Sequence, residues 1–431
     1  MRPLTDNPVG EPDDDAFGFM PYVRVLHEAV AEADPLPLTV GVFGAWGTGK
    51  SSFLSLWQGI FDEGKDRTIW FNPWKYDRKV EVWAALLHTI LAEMEQEEQL
   101  REKVGRLARA ATWLSMRAGL GTAASLATGG VINGTHVNEI LDTFSQADSA
   151  EYRQVNAFEH DFADAVNEFV GPDGRLVVFV DDLDRCTPDA AVTVLESLKL
   201  FLGESRCVFV LALDLDVVAA VATKKFGEAL AGAPGYAAAG MEYLDKIVQL
   251  PFFLPDVEFQ TLRASLSRYV GQELADSGAF WELIQVGLGT NPRRVKRFLN
   301  VLNLSALAYA PANGGPLDRR TLLQLAELLI IRTRHRAFFH LLTEQPGAWR
   351  ALEGYATSAI VNPRQEATFR QRLDPRLVGF TSDDKLMRLL QTGPGVYNDH
   401  PAAPDGDQVT SMISTLRRTA GPDDTAGTDP V

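Results

Sequence analysis

From Met20 to Val30 the apolar side chains recur at helical spacing until Asp34-Pro35 breaks the pattern, which predicts a lead-in helix over residues 20–33. The period then changes. Leu38 to Phe43 is a short β-branched and apolar run with the character of a buried strand, and Ser52 to Ile60 returns to helical spacing. Thr68 to Phe71 is a second strand-like run, and Val80 to Glu98 reads as a long helix ending in acidic residues. Residues 99–150 are rich in Ala, Gly and Arg with weak periodicity and read as an insertion, which ends before a helix from Tyr152 to Val170. Two more apolar runs, Leu176 to Val180 and Cys207 to Leu213, flank a helix that opens at Thr187-Pro188 and runs through Phe201.

Short, continuously apolar strands alternating with helices predict an α/β core with a parallel sheet covered by helices on both faces. That core is placed at residues 20–255. Beyond Leu250-Pro251-Phe252-Phe253-Leu254-Pro255 the strand-like runs stop, and helical patterns continue from Glu258 to about Leu390, so residues 256–398 are expected to form a helical domain. Residues 1–19 are expected to be an N-terminal arm. Residues 399–431 carry Pro, Gly, Asp and Thr with few apolar anchors and are expected to be a flexible tail.

With 46% hydrophobic and 23% charged residues the chain lies in the globular range, which argues against global disorder. The net charge of -16 works against broad electrostatic capture of nucleic acid, while leaving room for a local basic groove. Two cysteines, Cys186 and Cys207, each beside or inside an apolar run, and no His/Cys cluster at metal-ligand spacing, fit a reducing, cytoplasmic compartment. The acidic Asp13-Asp14-Asp15 patch, with no basic-then-apolar start, does not read as a secretory signal. Trp113 to Ile132 is the one stretch resembling a membrane span. Arg117 interrupts it, and Thr122, Ser125 and Thr128 dilute it, so a packed or surface helix is the preferred reading.

The chemistry concentrates on Gly44-Ala45-Trp46-Gly47-Thr48-Gly49-Lys50-Ser51, which lies between a predicted strand and a predicted helix. Glycines at such spacing let successive main-chain N–H groups curl round phosphate oxygens, and the helix N-terminus adds its positive dipole. Lys50 is then placed to reach the β- and γ-phosphates of a bound nucleoside triphosphate, and Ser51 to ligate Mg²⁺, with Ser52 following in the cradle. The competing reading is a plain glycine-rich turn. Such a site needs a carboxylate at a neighbouring strand end, and Val177-Val178-Phe179-Val180-Asp181-Asp182 supplies two. Asp181 is the candidate metal ligand and Asp182 the candidate general base; a solvated turn capping the helix at Thr187 is the alternative. An Asp reaches about one methylene less far than a Glu, a reason to expect slow turnover or an intervening water.

Asp214, at the end of the Cys207 to Leu213 strand, is a candidate sensor of the γ-phosphate or the attacking water, or equally the N-cap of a helix beginning near Asp216. Arg293 and Arg294, with Lys296 and Arg297, open a helix after Asn291-Pro292 and are candidates to clamp the γ-phosphate, unless they form a solvated face. Arg185 is a candidate arginine finger towards a neighbouring subunit. Arg332-Thr333-Arg334-His335-Arg336-Ala337-Phe338-Phe339-His340 mixes basic and aromatic residues, as for nucleic-acid contact, but an amphipathic helix accounts for it as well. There is no GxSxG, no HExxH, and no Asn-Lys-x-Asp, so ATP is preferred over GTP by absence alone.

Taken in order, the phosphate loop, Trp70-Phe71-Asn72-Pro73-Trp74-Lys75-Tyr76, Asp181-Asp182-Leu183-Asp184-Arg185, Tyr243-Leu244-Asp245-Lys246-Ile247-Val248-Gln249-Leu250-Pro251 and Asn291-Pro292-Arg293-Arg294-Val295-Lys296-Arg297-Phe298-Leu299-Asn300 resemble the KAP family of P-loop NTPases, a branch related to the AAA+ and STAND ATPases. The resemblance covers residues 20–305. It implies ATP hydrolysis linked to conformational switching and, in bacteria, roles such as defence against phage. The family carries an insertion, often with membrane helices, where this chain has residues 99–150; the weak apolar content there favours a soluble member.

The expectation is thus a Mg²⁺- and ATP-dependent switch with an unidentified protein partner or effector, the homo-oligomeric state being open. The other reading is a nucleotide-regulated scaffold that assembles or recruits a partner with negligible turnover, membrane-associated or not.

Overall fold

In the computed structural model, residues 3–34, 36–61, 65–76, 82–117, 149–198, 205–214, 217, 244–311, 314–361, 366–392 and 402–421 are described. The chain divides into two compact units, one of Pro8–Pro255 and one of Asp256–Val431 together with Met1–Asn7.

The first unit is built on five parallel strands, β1 (Leu38–Phe43), β2 (Arg67–Phe71), β3 (Leu176–Val180), β4 (Cys207–Leu213) and β5 (Leu250–Phe253), in the order β2-β3-β4-β1-β5. Every pairing among them is parallel. Because strand side chains alternate, each continuous apolar run feeds two cores. Val40, Val42, Val177, Phe179, Val208 and Val210 point to one face, where helices α1 (Met20–Ala31) and α2 (Lys50–Phe61) bring Val23, Leu26, Phe53, Trp57 and Phe61. Ile69, Phe71, Val178, Val180, Phe209 and Leu211 point to the other, against α3 (Val82–Met94), α4 (Arg101–Arg117), α5 (Ser149–Val170) and α6 (Pro188–Ser197). The three-layer α/β architecture expected from the apolar periodicity is the one formed, with helices on both faces of a parallel sheet.

The reading of residues 99–150 meets the structure only in part. Residues 101–117 form α4, with Val104 and Leu107 buried, and residues 149–170 form α5; residues 118–148 lie outside the described ones. Most of the stretch from Trp113 to Ile132 therefore falls there too. Among the described residues no helix is long and apolar enough to cross a membrane.

The second unit is helical: α7 (Phe259–Leu266), α8 (Gly278–Leu288), α9 (Pro292–Tyr309), α10 (Arg319–Arg334), α11 (Arg336–Glu344), α12 (Ala348–Val361), α13 (Asp384–Gln391) and α14 (Gly406–Thr419) are its longer helices. Two expectations differ here. The tail expected from residue 399 contains α14, because Val409, Met412, Ile413 and Leu416 recur at helical spacing and are all buried, and Asp405 caps its first turn through Gln408 N–H. Four anchors suffice when they share one face. The arm expected over residues 1–19 is divided: the main chain of Leu4 exchanges two 2.8 Å hydrogen bonds with the Asn300 amide on α9, whereas Val9 N–H donates to Ser52 Oγ on α2 at 3.1 Å.

In the basic and aromatic segment around residue 335 the phenylalanines are core and Arg332 caps a helix end, while Arg334, Arg336 and His340 are exposed. Phe338 and Phe339 are buried, as the faces of base-stacking rings are not, and Arg332 donates to the carbonyls of Leu416 (3.4 Å) and Gly421 (2.6 Å) at the end of α14. His335 Nδ1 lies 3.0 Å from Asp383 Oδ2, and burial lowers its pKa more than Asp383 raises it. The amphipathic-helix reading describes this segment.

Candidate functional site

The sheet places the site. Strands β1, β3 and β4 all run the same way, so their C-terminal ends, followed by Gly44, Asp181 and Asp214, open on one edge of the sheet. β4 lies between β1 and β3, which sets Asp214 between the glycine loop and the Asp181-Asp182 pair.

The loop from Gly44 to Gly49 is anchored by Gly44 N–H on Leu213 O (3.1 Å) and Phe53 N–H on Gly49 O (2.9 Å). Gly47 and Gly49 have φ of 85° and 111°, backbone that L side chains rarely adopt, and a Cβ on Gly49 would also stand 2.9 Å from the Phe19 ring. Lys50 begins α2, is only 7% exposed, and donates to Gly44 O at 2.8 Å and Ala45 O at 3.4 Å. Its ammonium also lies 3.5 Å from Asp184 Oδ2 and 3.7 Å from Asp214 Oδ2. One buried cation thus faces two carboxylates across the mouth of the loop.

Asp181 is buried, and desolvation raises its carboxyl pKa against the lowering effect of a hydrogen bond from the Ser51 side chain. The Ser51 hydroxyl and the Asp181 carboxylate form an all-oxygen pair at the start of α2. No group of three or more His, Cys, Asp or Glu that could hold a metal alone occurs among the described residues.

Asp182 diverges from its neighbour because its backbone is left-handed, φ 61° and ψ 26°, a conformation Asp tolerates better than most L residues. Its Oδ2 accepts from Asn72 Nδ2 at 2.6 Å, and its Oδ1 pairs with Arg185 Nε at 2.8 Å. Arg185 in turn lies 5.5 Å over the ring of Trp74, which is 51% exposed. Asn72 and Trp74 follow β2, the strand that pairs with β3, so a residue after β2 meets a residue after β3.

The structure brings Lys50, Ser51, Asp181, Asp182, Asp214 and Arg185 to this sheet edge. Ser52 turns its hydroxyl to Val9 N–H. Arg293 and Arg297 both approach Asp6 Oδ2, at 3.5 and 3.2 Å, within the helical unit. Arg294 donates to Leu288 O at 3.0 Å, closing the end of α8, and burial lowers its pKa, helped by Arg334. Asp216, the other reading of the Asp214 region, lies outside the described residues. Asp184 as a partner of Lys50, and Asn72 as a partner of Asp182, were not foreseen. Their signal is topological: each follows a strand whose rank in the sheet no local pattern encodes.

A glycine-rich loop between β1 and α2, a lysine at the helix start and an acidic end on a parallel strand define a P-loop NTPase, a nucleotide-binding fold. The model of the KAP family P-loop domain matches residues 19–308, and the chain belongs to that family. No curated protein matches the chain. Among solved structures the chain is similar to the ORC2 protein of Aeropyrum pernix, solved as ADPNP-ADP complexes, at 14% identity and a TM-score of 0.36 over 97% of each chain.

Proposed function

We propose that this chain hydrolyses ATP with Mg²⁺ and acts as a conformational switch. The carrying observation is that Lys50 and Ser51 start α2 directly after the glycine loop, with Ser51 hydrogen-bonded to Asp181. Main-chain N–H groups of Gly44 to Ser51 and the dipole of α2 bind the β- and γ-phosphates. Lys50 exchanges its carbonyl partners for phosphate oxygens, which make stronger, charge-assisted bonds. Ser51 and Asp181 fit Mg²⁺ by donor chemistry, a hard oxygen pair that leaves further positions to phosphate and water, and bound Mg²⁺ supplies neutralisation of the phosphate charge. Asp182 orients a water and takes its proton as the water oxygen bonds to the γ-phosphorus and the bond to the β-γ bridging oxygen breaks, giving ADP and inorganic phosphate.

Phosphate release from wild type, Lys50→Ala and Asp182→Asn tests this. Loss of binding is expected in the first variant, and retained binding with turnover lower by about 10²–10⁴ in the second; equal rates in all three overturn the reading. Nucleotide-dependent protection of α9 from hydrogen exchange tests the switch.

A scaffold with negligible turnover is the second reading, favoured by the engagement of both Asp182 oxygens. Light scattering with and without a non-hydrolysable ATP analogue separates the two, since assembly without phosphate release supports the scaffold. A role in defence against phage or in signalling rests on family resemblance, and phage plaque counts on cells carrying wild type or Lys50→Ala test it.

A further inference from the structure

The Asp182 carboxylate is held from two sides. Asn72 occupies Oδ2, and Arg185 occupies Oδ1. The second grip is the unusual one, because Arg185 sits only three residues on, in the short turn Leu183–Arg185, and is 39% exposed, and Trp74 beneath it is 51% exposed. A guanidinium over an indole face is attracted by the ring and loses rotamer freedom, so the aromatic fixes the arginine and the arginine fixes the carboxylate. The chain of contacts runs from solvent, through Trp74 and Arg185, to the residue proposed above as general base.

Such a base presents a lone pair to water. An ion pair on Oδ1 opposes this by directing that oxygen to the guanidinium. We propose that Arg185, seated on the exposed ring of Trp74, is a positioning residue that restrains Asp182, so that this surface pair sets the rate of the chemical step and not nucleotide affinity. The inference rests on the ATPase reading. It assigns Arg185 a role within its own subunit, in place of a finger towards another.

The test measures kcat and KM for ATP, with affinity for a fluorescent ATP analogue, in full-length wild type, Arg185→Gln, Trp74→Ala and Trp74→Phe, each also on an Asp182→Asn background. Expected is a rise in kcat of about three- to tenfold for Arg185→Gln and Trp74→Ala, the scale of a partly exposed ion pair, with unchanged analogue affinity. Trp74→Phe keeps a ring under the guanidinium and falls between wild type and Trp74→Ala. On the Asp182→Asn background the accelerating effect disappears. A fall in kcat for Arg185→Gln, with a wild-type rate that climbs with protein concentration, overturns the proposal in favour of a finger acting between subunits. Unchanged kcat in both Arg185→Gln and Trp74→Ala overturns it outright. If instead wild type binds the analogue no better than Lys50→Ala, the ATPase reading itself has failed.

Discussion

Lys50 Nζ stands 3.7 Å from Asp214 Oδ2 with both side chains 7% exposed, so the loop after β1 and the end of β4 meet in a buried ion pair. Asp184, at 3.5 Å, approaches the same ammonium from the turn after β3. The lysine proposed to bind phosphate therefore also joins three strand ends.

Lys50→Ala is accordingly expected to act twice. Affinity for ATP falls by at least about tenfold, the worth of a charge-assisted bond, read by titration of a fluorescent analogue. Without nucleotide the variant is also less stable by about 1–3 kcal/mol, because the buried Asp214 and the half-buried Asp184 lose their cation, read by urea unfolding.

Gly49→Ala is expected to lower stability by about 1–3 kcal/mol and to weaken nucleotide binding together, since φ 111° is strained for any L residue and the Cβ meets Phe19. Gly271→Ala is the control, as a Cβ there meets open space and φ is not positive. Chemical unfolding of both variants, beside analogue titration, reads the difference.

Glu353 in α12 makes the helical unit pH-sensitive. Burial raises its pKa from 4.5 to about 7, against the opposing hydrogen bond from Ala403 N–H and the charge of Arg350. The folded form then holds a proton that the unfolded chain releases above pH 4.5, so this group's contribution is fully present below about 4.5 and is lost as pH rises through about 7. The loss is on the order of 3 kcal/mol. The neighbouring Glu327, likewise raised by burial and then by Glu353, acts in the same direction, whereas His335, lowered by burial, acts in the other. Urea unfolding at pH 5 and pH 8 is expected to give a smaller pH difference for Glu353→Gln than for wild type.

Arg332→Ala is expected to loosen the C-terminal helix. Its guanidinium donates to Leu416 O and Gly421 O, and the loss of both bonds costs about 1–2 kcal/mol. Hydrogen exchange of residues 406–419 is the measurement, with faster exchange in the variant than in wild type.

Most elements of the first unit were legible because strands such as β3 and β4 are continuous apolar runs and helices such as α2 carry an apolar stripe, both local properties, whereas α4 lies in a stretch of weak periodicity. The loop from Gly44 to Ser51 was legible for a related reason: its glycines, lysine and serine act through adjacent backbone. Helix α14 was missed because four apolar residues spaced among polar ones look sparse in composition and become one face only when wound. The contact of Arg293 and Arg297 with Asp6 was not legible, because that partner lies almost the whole chain away.

The sequence by itself thus determined a phosphate-binding loop, an acidic strand end, an α/β core and a helical second unit, all written within segments of a few residues. Tertiary structure decided the rest. Only the strand order β2-β3-β4-β1-β5 puts Asp214 and Asp184 beside Lys50 and Asn72 beside Asp182, because which strand ends become neighbours depends on sheet rank and not on distance along the chain. The left-handed turn at Asp182 is the sharpest case: two adjacent aspartates read alike as letters, and one backbone angle sends the first to Ser51 and the second to Asn72 and Arg185.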